Sequence, residues 1–384
     1  MKNLYANLEK HLHELCFYPS RHIGSPGAAA AADYIAKVFR NNGYTQSADE
    51  NFAATGWRFG SMIFADLDNG SCEVPGALPC FFSQSVDITD VPLWLTEKEL
   101  QNMTAGEVRN RLCIVELVGA IPDVRGRNGI AEDLDSLGAA AAVFIGSTRA
   151  TNSKLQRSPN LKTLGTATVG QTGSLYLSRN RDHRFTLKID ANTFPHTGRN
   201  VVAYRPGSSS KRAVFGAHYD AAPLSQGACD NASGVAVLLE TARLLKDELP
   251  EWNFEFVAFD AEEYCITDSL PAGSEAFVKA HPERQWAFFM DFDCVGAHLS
   301  QELLYVGRGE QLPAFESFYP QHPIRNGGDE RNFDRLGVST LWFASCPRYQ
   351  EFHTPLDTIE TLDIQRICRC AADAVEVVKQ ICQP

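Results

Sequence analysis

Three β-rich runs of this chain end on residues able to hold a metal ion or move a proton. AVFGA (213–217) leads into His218-Tyr219-Asp220, FEFVAF (254–259) into Asp260-Ala261-Glu262-Glu263, and AFFM (287–290) into Asp291-Phe292-Asp293. The loop QGACD (226–230) presents Asp230 before a helical pattern, and His353 follows TLWFA (340–344) in EFHTPLDT. Two imidazoles and three carboxylates are borderline-hard donors suited to one or two divalent ions, zinc first, with manganese or cobalt also accepted. If one carboxylate bridges, two ions sit about 3.5–4 Å apart. Asp230 is the natural bridge, because free amides and the dipole at a helix N-terminus favour an anion. A Glu-Glu pair makes chemical sense if one carboxylate binds metal and its neighbour takes a proton from metal-activated water. Cys229, Cys265 and Cys294 lie beside these candidates and read as buried thiols. Nothing in the sequence distinguishes His11, His13, His22, His183, His196, His281, His298 or His322 from ordinary surface or core residues.

Residues so far apart converge only if the fold brings strand ends together. In open α/β sheets, ligands bind beyond the carboxyl ends of the strands. From about Ala203 the chain alternates β-rich runs with helical patterns, as a helix-covered parallel sheet requires. The expectation is therefore an α/β fold: a mostly parallel, doubly wound sheet with helices on both faces. In the stretch from Ser233 to Leu249, Val235, Leu238, Leu239, Ala242 and Leu245 form one apolar face, which predicts a helix packed on that sheet. Ser25-Pro26-Gly27 followed by AAAAADYIAKVFRNN and Gly43 predicts another helix, with an N-cap, a proline in the first turn and a terminal glycine. The middle of the chain differs. It has strand-like pieces (SMIFADL, RLCIVELVG, SLYLS), many turn residues and a helical segment ending in LGAAAAVFIG. This predicts a smaller, β-rich domain over 58–192, inserted into a larger domain of 1–57 and 193–384.

Composition narrows the function. The 384 residues are 44% hydrophobic and 21% charged, which describes a folded globular chain, and a net charge of −12 argues against nucleic-acid or anionic-membrane surfaces. The longest apolar run, 137–146, is about half the length a bilayer-spanning helix needs. MKNLYANLEKHLHELC reads as an amphipathic helix without the apolar stretch of a secretory signal. The 11 cysteines, an odd number without framework spacing, read as reduced thiols, so the cytoplasm is the expected compartment.

GAHYD (216–220), GACDNASGVAVLLETARLL (227–245), FVAFDAEE (256–263), MDFDCVG (290–296) and FHTPLDT (352–358) resemble the M28 family of zinc aminopeptidases and carboxypeptidases. SRHIGSPG (20–27) and NVVAYRPG (200–207) are similar to its opening segment and resuming strand, and TAGEVRNRLCIVELVG with LDSLGAAAAVFIGS to a protease-associated domain. The resemblance implies that His218 and Asp293 hold one zinc and Glu263 and His353 the other, with Asp230 bridging. It implies Glu262 as general base and acid, Asp220 as the carboxylate orienting His218, and a cis peptide after Asp230. Asp329 falls in the family's serine-aspartate-histidine segment, where this chain has Glu330 in place of histidine. Phe352 stands where some peptidases have tyrosine, so Tyr264 or Tyr349 is the candidate phenol near substrate. The implied activity is a dinuclear zinc exopeptidase acting on short peptides, most simply an aminopeptidase. YCITDSLPAGS (264–274) is similar to the single-zinc glutaminyl cyclases of the same fold, which makes an acyl transferase the alternative, and an inactive binding protein is the third reading.

Overall fold

The computed structural model describes residues 3–44, 46–117, 124–146, 160–263, 271–306, 321–323, 328–346 and 351–382. The chain divides into two compact units. The first comprises Met1–Ala54, Thr197–Cys265 and Ser269–Pro384, and the second Thr55–His196 with Ile266–Asp268.

The sheet of the first unit is assembled from β1 (Phe185–Arg205, in its C-terminal part), β2 (Arg212–His218), β3 (Asn253–Phe259), β4 (Phe288–Phe292), β5 (Gln301–Val306), β6 (Gln321–Pro323) and β7 (Ser339–Cys346). Their order is β6-β5-β7-β4-β2-β3-β1. The central strands β3, β2, β4 and β7 run parallel, with His218 opposite Phe259, Gly216 opposite Asp291 and Phe292 opposite Phe343. β1 and β5 are antiparallel to their neighbours β3 and β7.

Near-continuous apolar runs suit strands buried on both faces, and period-two alternation decides what each side chain meets. Ala213, Phe215 and Ala217 of β2 share one core with Phe254, Phe256, Phe288, Met290 and Leu341. Onto that core pack α1 (Leu4–Leu15), α2 (Pro26–Asn41), α3 (Gly234–Leu245) and α6 (Ile364–Cys382). The intervening Val214, Val257, Phe259 and Phe289 belong to a different core, with Phe277 and Phe333 of α4 (Ala272–Ala280) and α5 (Glu330–Asp334). α2 begins as its sequence predicts: the Ser25 hydroxyl accepts the Ala28 N–H at 3.1 Å, Pro26 opens the first turn, and Gly43 just beyond the helix takes φ +87°.

The second unit carries its own sheet, in the order Ala77–Pro79, Gly165–Val169, Ala141–Gly146, Leu112–Leu117, Leu93–Thr96. The last four are mutually parallel, and the unit is mixed α/β rather than simply β-rich. Two sequence assignments are corrected here. SLYLS lies within the helix Gln171–Arg179, and the helical segment predicted to end in LGAAAAVFIG stops at Leu137, with Ala141–Gly146 forming a strand. Gly138, at φ +83°, ends the helix, and AAVFIG then pairs on both sides, with 112–117 and 165–168. Tertiary pairing outweighs alanine's helix preference there.

Candidate metal centre

The parallel strands deliver their carboxyl ends to one edge of the first unit, and the chemistry gathers there. His218 is the last residue of β2, Asp293 follows β4, and Glu262 and Glu263 follow β3 by a short turn in which Ala261 takes φ +62°. Asp230 comes from the turn before α3, and its peptide bond to Asn231 is cis. His353 belongs to the segment that follows β7.

Two clusters of potential ligand atoms result: His218, Asp230 and Asp293, and Asp230, Glu263 and His353. Asp230 is common to both. Its Oδ1 lies 3.2 Å from His218 Nε2 and its Oδ2 3.0 Å from His353 Nε2. Asp293 Oδ1 is 3.4 Å from His218 Nε2, and Glu263 Oε1 is 2.9 Å from His353 Nε2. Two ligand atoms on one tetrahedral zinc, at bonds of about 2.0–2.2 Å, lie about 3.3 Å apart, so this donor set fits the ion.

The protonation pattern supports the same fit. His218 Nδ1 faces the Asp220 carbonyl oxygen at 3.1 Å and Asp220 Oδ1 at 3.4 Å, which fixes the ring proton on Nδ1 and turns the Nε2 lone pair toward two carboxylates. Acceptors facing acceptors in a buried site need a cation between them. With protons as the cations, burial opposes charge on His218, yet Asp220, Asp230 and Asp293 hold its pKa well above the ordinary imidazole value. His353 behaves alike: burial opposes its charge and Glu263 with Asp230 raises its pKa. Burial pushes the Asp230 carboxyl up, but the two imidazoles outweigh it and take the group well below the usual carboxylate range.

Around the ligands stands a layer of oriented polar groups. Asp220 accepts the backbone N–H of Glu262 on Oδ1 and that of Glu263 on Oδ2, both at 3.0 Å, so one buried carboxylate holds the glutamate turn as well as the His218 ring. Asn231 donates to the Phe292 carbonyl at 2.8 Å and accepts from Gly234 and Cys294, tying the Asp230 turn to the end of β4. The Phe352 ring stacks on His353, centroids 3.6 Å apart.

Asp329 is buried and accepts a hydrogen bond from Ser274 Oγ. Burial and nearby carboxylates lift it to about 7, although His218 pulls the other way. Glu330, where the resemblance implies histidine, is fully buried and pushed up to about 8, chiefly by burial. Tyr264 and Tyr349 lie outside the described residues. Sequence reasoning passed over Gly328, Arg21 and Asp357. A Cβ at Gly328 would come 3.2 Å from Glu262 Oε1 and 3.5 Å from Asp293 Oδ2, so this backbone lies directly against the centre. A glycine before an aspartate was the available signal, and for Arg21 and Asp357 it was their places inside SRHIGSPG and FHTPLDT.

Sheet and site together define an α/β protein with a two-part metal-ligand centre at the strand ends. Residues 200–378 match the model of Peptidase family M28. The aminopeptidase YwaD of Bacillus subtilis is 28% identical over 201 residues, 47% of this chain and 44% of YwaD. The "Probable lipoprotein aminopeptidase LpqL" of Mycobacterium tuberculosis is 26% identical over 332 residues, 82% of this chain and 62% of that protein. The chain thus spans about half to three fifths of the length of these curated relatives. The fold is shared with a zinc aminopeptidase from Bacillus subtilis, BSAP, at a TM-score of 0.79 and 18% identity over 98% of this chain and 95% of that one.

Proposed function

We propose that this protein is a dinuclear zinc aminopeptidase that removes N-terminal residues from short peptides. The observation that carries the reading is Asp230, whose two oxygens are divided between two imidazoles, each with a further carboxylate of its own. His218 and Asp293 would hold one zinc, Glu263 and His353 the other, with Asp230 between them. The aminopeptidase names of YwaD, LpqL and BSAP support the activity class. Bound there, zinc supplies a Lewis acid for the scissile carbonyl and lowers the pKa of the attacking water. Glu262 takes the proton of that water and passes it to the leaving amine. Its backbone is held by Asp220, and the half-buried side chain lies against Gly328, so the carboxylate is fixed but reachable. The excess of carboxylates favours a substrate with a cationic α-amine. We read the second unit as an inserted protease-associated-like domain and the sheet of the first as doubly wound, its two faces having separate cores in support.

Turnover of an amino-acid amide, its N-acetylated counterpart and a peptide beginning with glutamine tests this reading. Hydrolysis of the free amide with little of the acetylated one is expected. Cyclisation of the glutamine peptide without hydrolysis would replace the peptidase by an acyl transferase.

A further inference from the structure

The turn that carries Asp230 is gripped from two sides by buried charged residues. On one side stands Asp357, fully buried, four positions beyond His353. Its Oδ1 accepts the N–H of Cys229 at 2.8 Å and its Oδ2 the N–H of Asp230 at 3.1 Å, while the Ala228 N–H points to its own carbonyl at 3.4 Å. On the other side stands Arg21, also fully buried. Its guanidinium donates to the carbonyls of Gln226 and Gly227, the two residues that lead into the turn. Nε donates to the carbonyl of Tyr219, next to His218, at 2.8 Å, and Nη1 also reaches Leu15 at 3.1 Å. Gly227 is at φ +58°, and a Cβ there would meet Ala221, the Asp230 carbonyl and Arg21, so the close-packed turn leaves no room for a side chain.

We infer that Arg21 and Asp357 are positioning residues for the bridging ligand, a cation fixing the carbonyls before Asp230 and an anion fixing the amides at it. The inference rests on the zinc reading above and extends it. A buried charge spent on neutral backbone groups is costly unless every partner is well placed, so the turn is held in one geometry. Asp230 is shared, and a loosened turn must therefore weaken both metal positions together. A residue that merely stabilised its own segment would behave differently: loss of Asp357 would then affect only the position that uses His353.

Zinc uptake of purified full-length protein, measured by competition with a chromogenic chelator, provides the test. Asp357→Asn, Arg21→Lys and, as a control, Glu255→Gln would be compared with wild type; Glu255 is buried among Arg212, Arg284 and Trp286, toward the amino end of β3 and away from the strands' carboxyl ends. Asp357→Asn and Arg21→Lys should each weaken both zinc equilibria by about 10–100-fold, the range for residues that orient ligands, and Glu255→Gln should weaken neither. If Asp357→Asn fails to fold, Arg21→Lys reads the same turn from its other side. Wild-type affinity in the two site variants, or a loss confined to one zinc, would overturn the inference while leaving the metal reading intact. A wild type that takes up no zinc would overturn both.

Discussion

Two adjacent residues of the same chemistry carry different duties in this account. The Asp220 carboxylate holds both backbone amides of Glu262 and Glu263, one on each oxygen. Glu263 Oε1 lies 2.9 Å from His353 Nε2, while Glu262 Oε1 lies against the Gly328 backbone. Glu262→Gln keeps the shape and removes the base. It should retain zinc and KM and lose about 10²–10⁴-fold in kcat, measured by steady-state kinetics with metal analysis of the same sample. Glu263→Gln should release zinc more readily and recover part of its activity when zinc is in excess. An exchange of the two phenotypes would reverse the roles. Glu330 offers a test independent of activity. Its folded pKa of about 8 lies above the ordinary 4.5, with burial the main cause and Asp293 and Asp329 adding to it. Between those values the folded state keeps a proton that the unfolded chain releases, so stability falls as pH rises through that window. In chelator-treated protein, Glu330→Gln should raise Tm by a few degrees near pH 8.5 and have little effect near pH 5. An equal change at both pH values would contradict this assignment.

Among the elements, the parallel strands set the distances on which the centre depends. Gly216 precedes His218 by two residues in β2, and a Cβ there would come 2.6 Å from the Phe259 ring and 2.7 Å from that of Phe289. Gly216→Ala must displace rings in a closed core and should cost about 1–3 kcal/mol in denaturant unfolding. A neutral effect would mean that the core accommodates the methyl group. The elements also show where sequence patterns speak and where they fall silent. α2 was legible because Ser25, Pro26 and Gly43 punctuate it. In the second unit, two short helices, Glu97–Leu100 and Ala105–Val108, went unread although each begins with a capping box, Thr96 to Glu99 and Thr104 to Glu107. SLYLS alternates like a strand, yet Leu177 is buried and Leu175 exposed within a helix. Five residues are too few for periodicity to decide.

At the scale of the molecule, the candidate ligands were legible because each sits at a boundary between elements, where the residue type is set by chemistry rather than by packing. Arg21 and Asp357 were passed over, because a buried charge that serves backbone amides and carbonyls has the residue type of a surface charge, and only their places inside SRHIGSPG and FHTPLDT set them apart. The central proposal is that Asp230 joins two zinc ions in one centre. Elemental analysis of zinc-loaded, exhaustively dialysed protein, with anomalous scattering from crystals of the same material, tests it most directly. The account predicts close to two zinc ions per chain, about 3.5–4 Å apart, with Asp230 between them. One tightly held ion per chain in a fully active protein would contradict it.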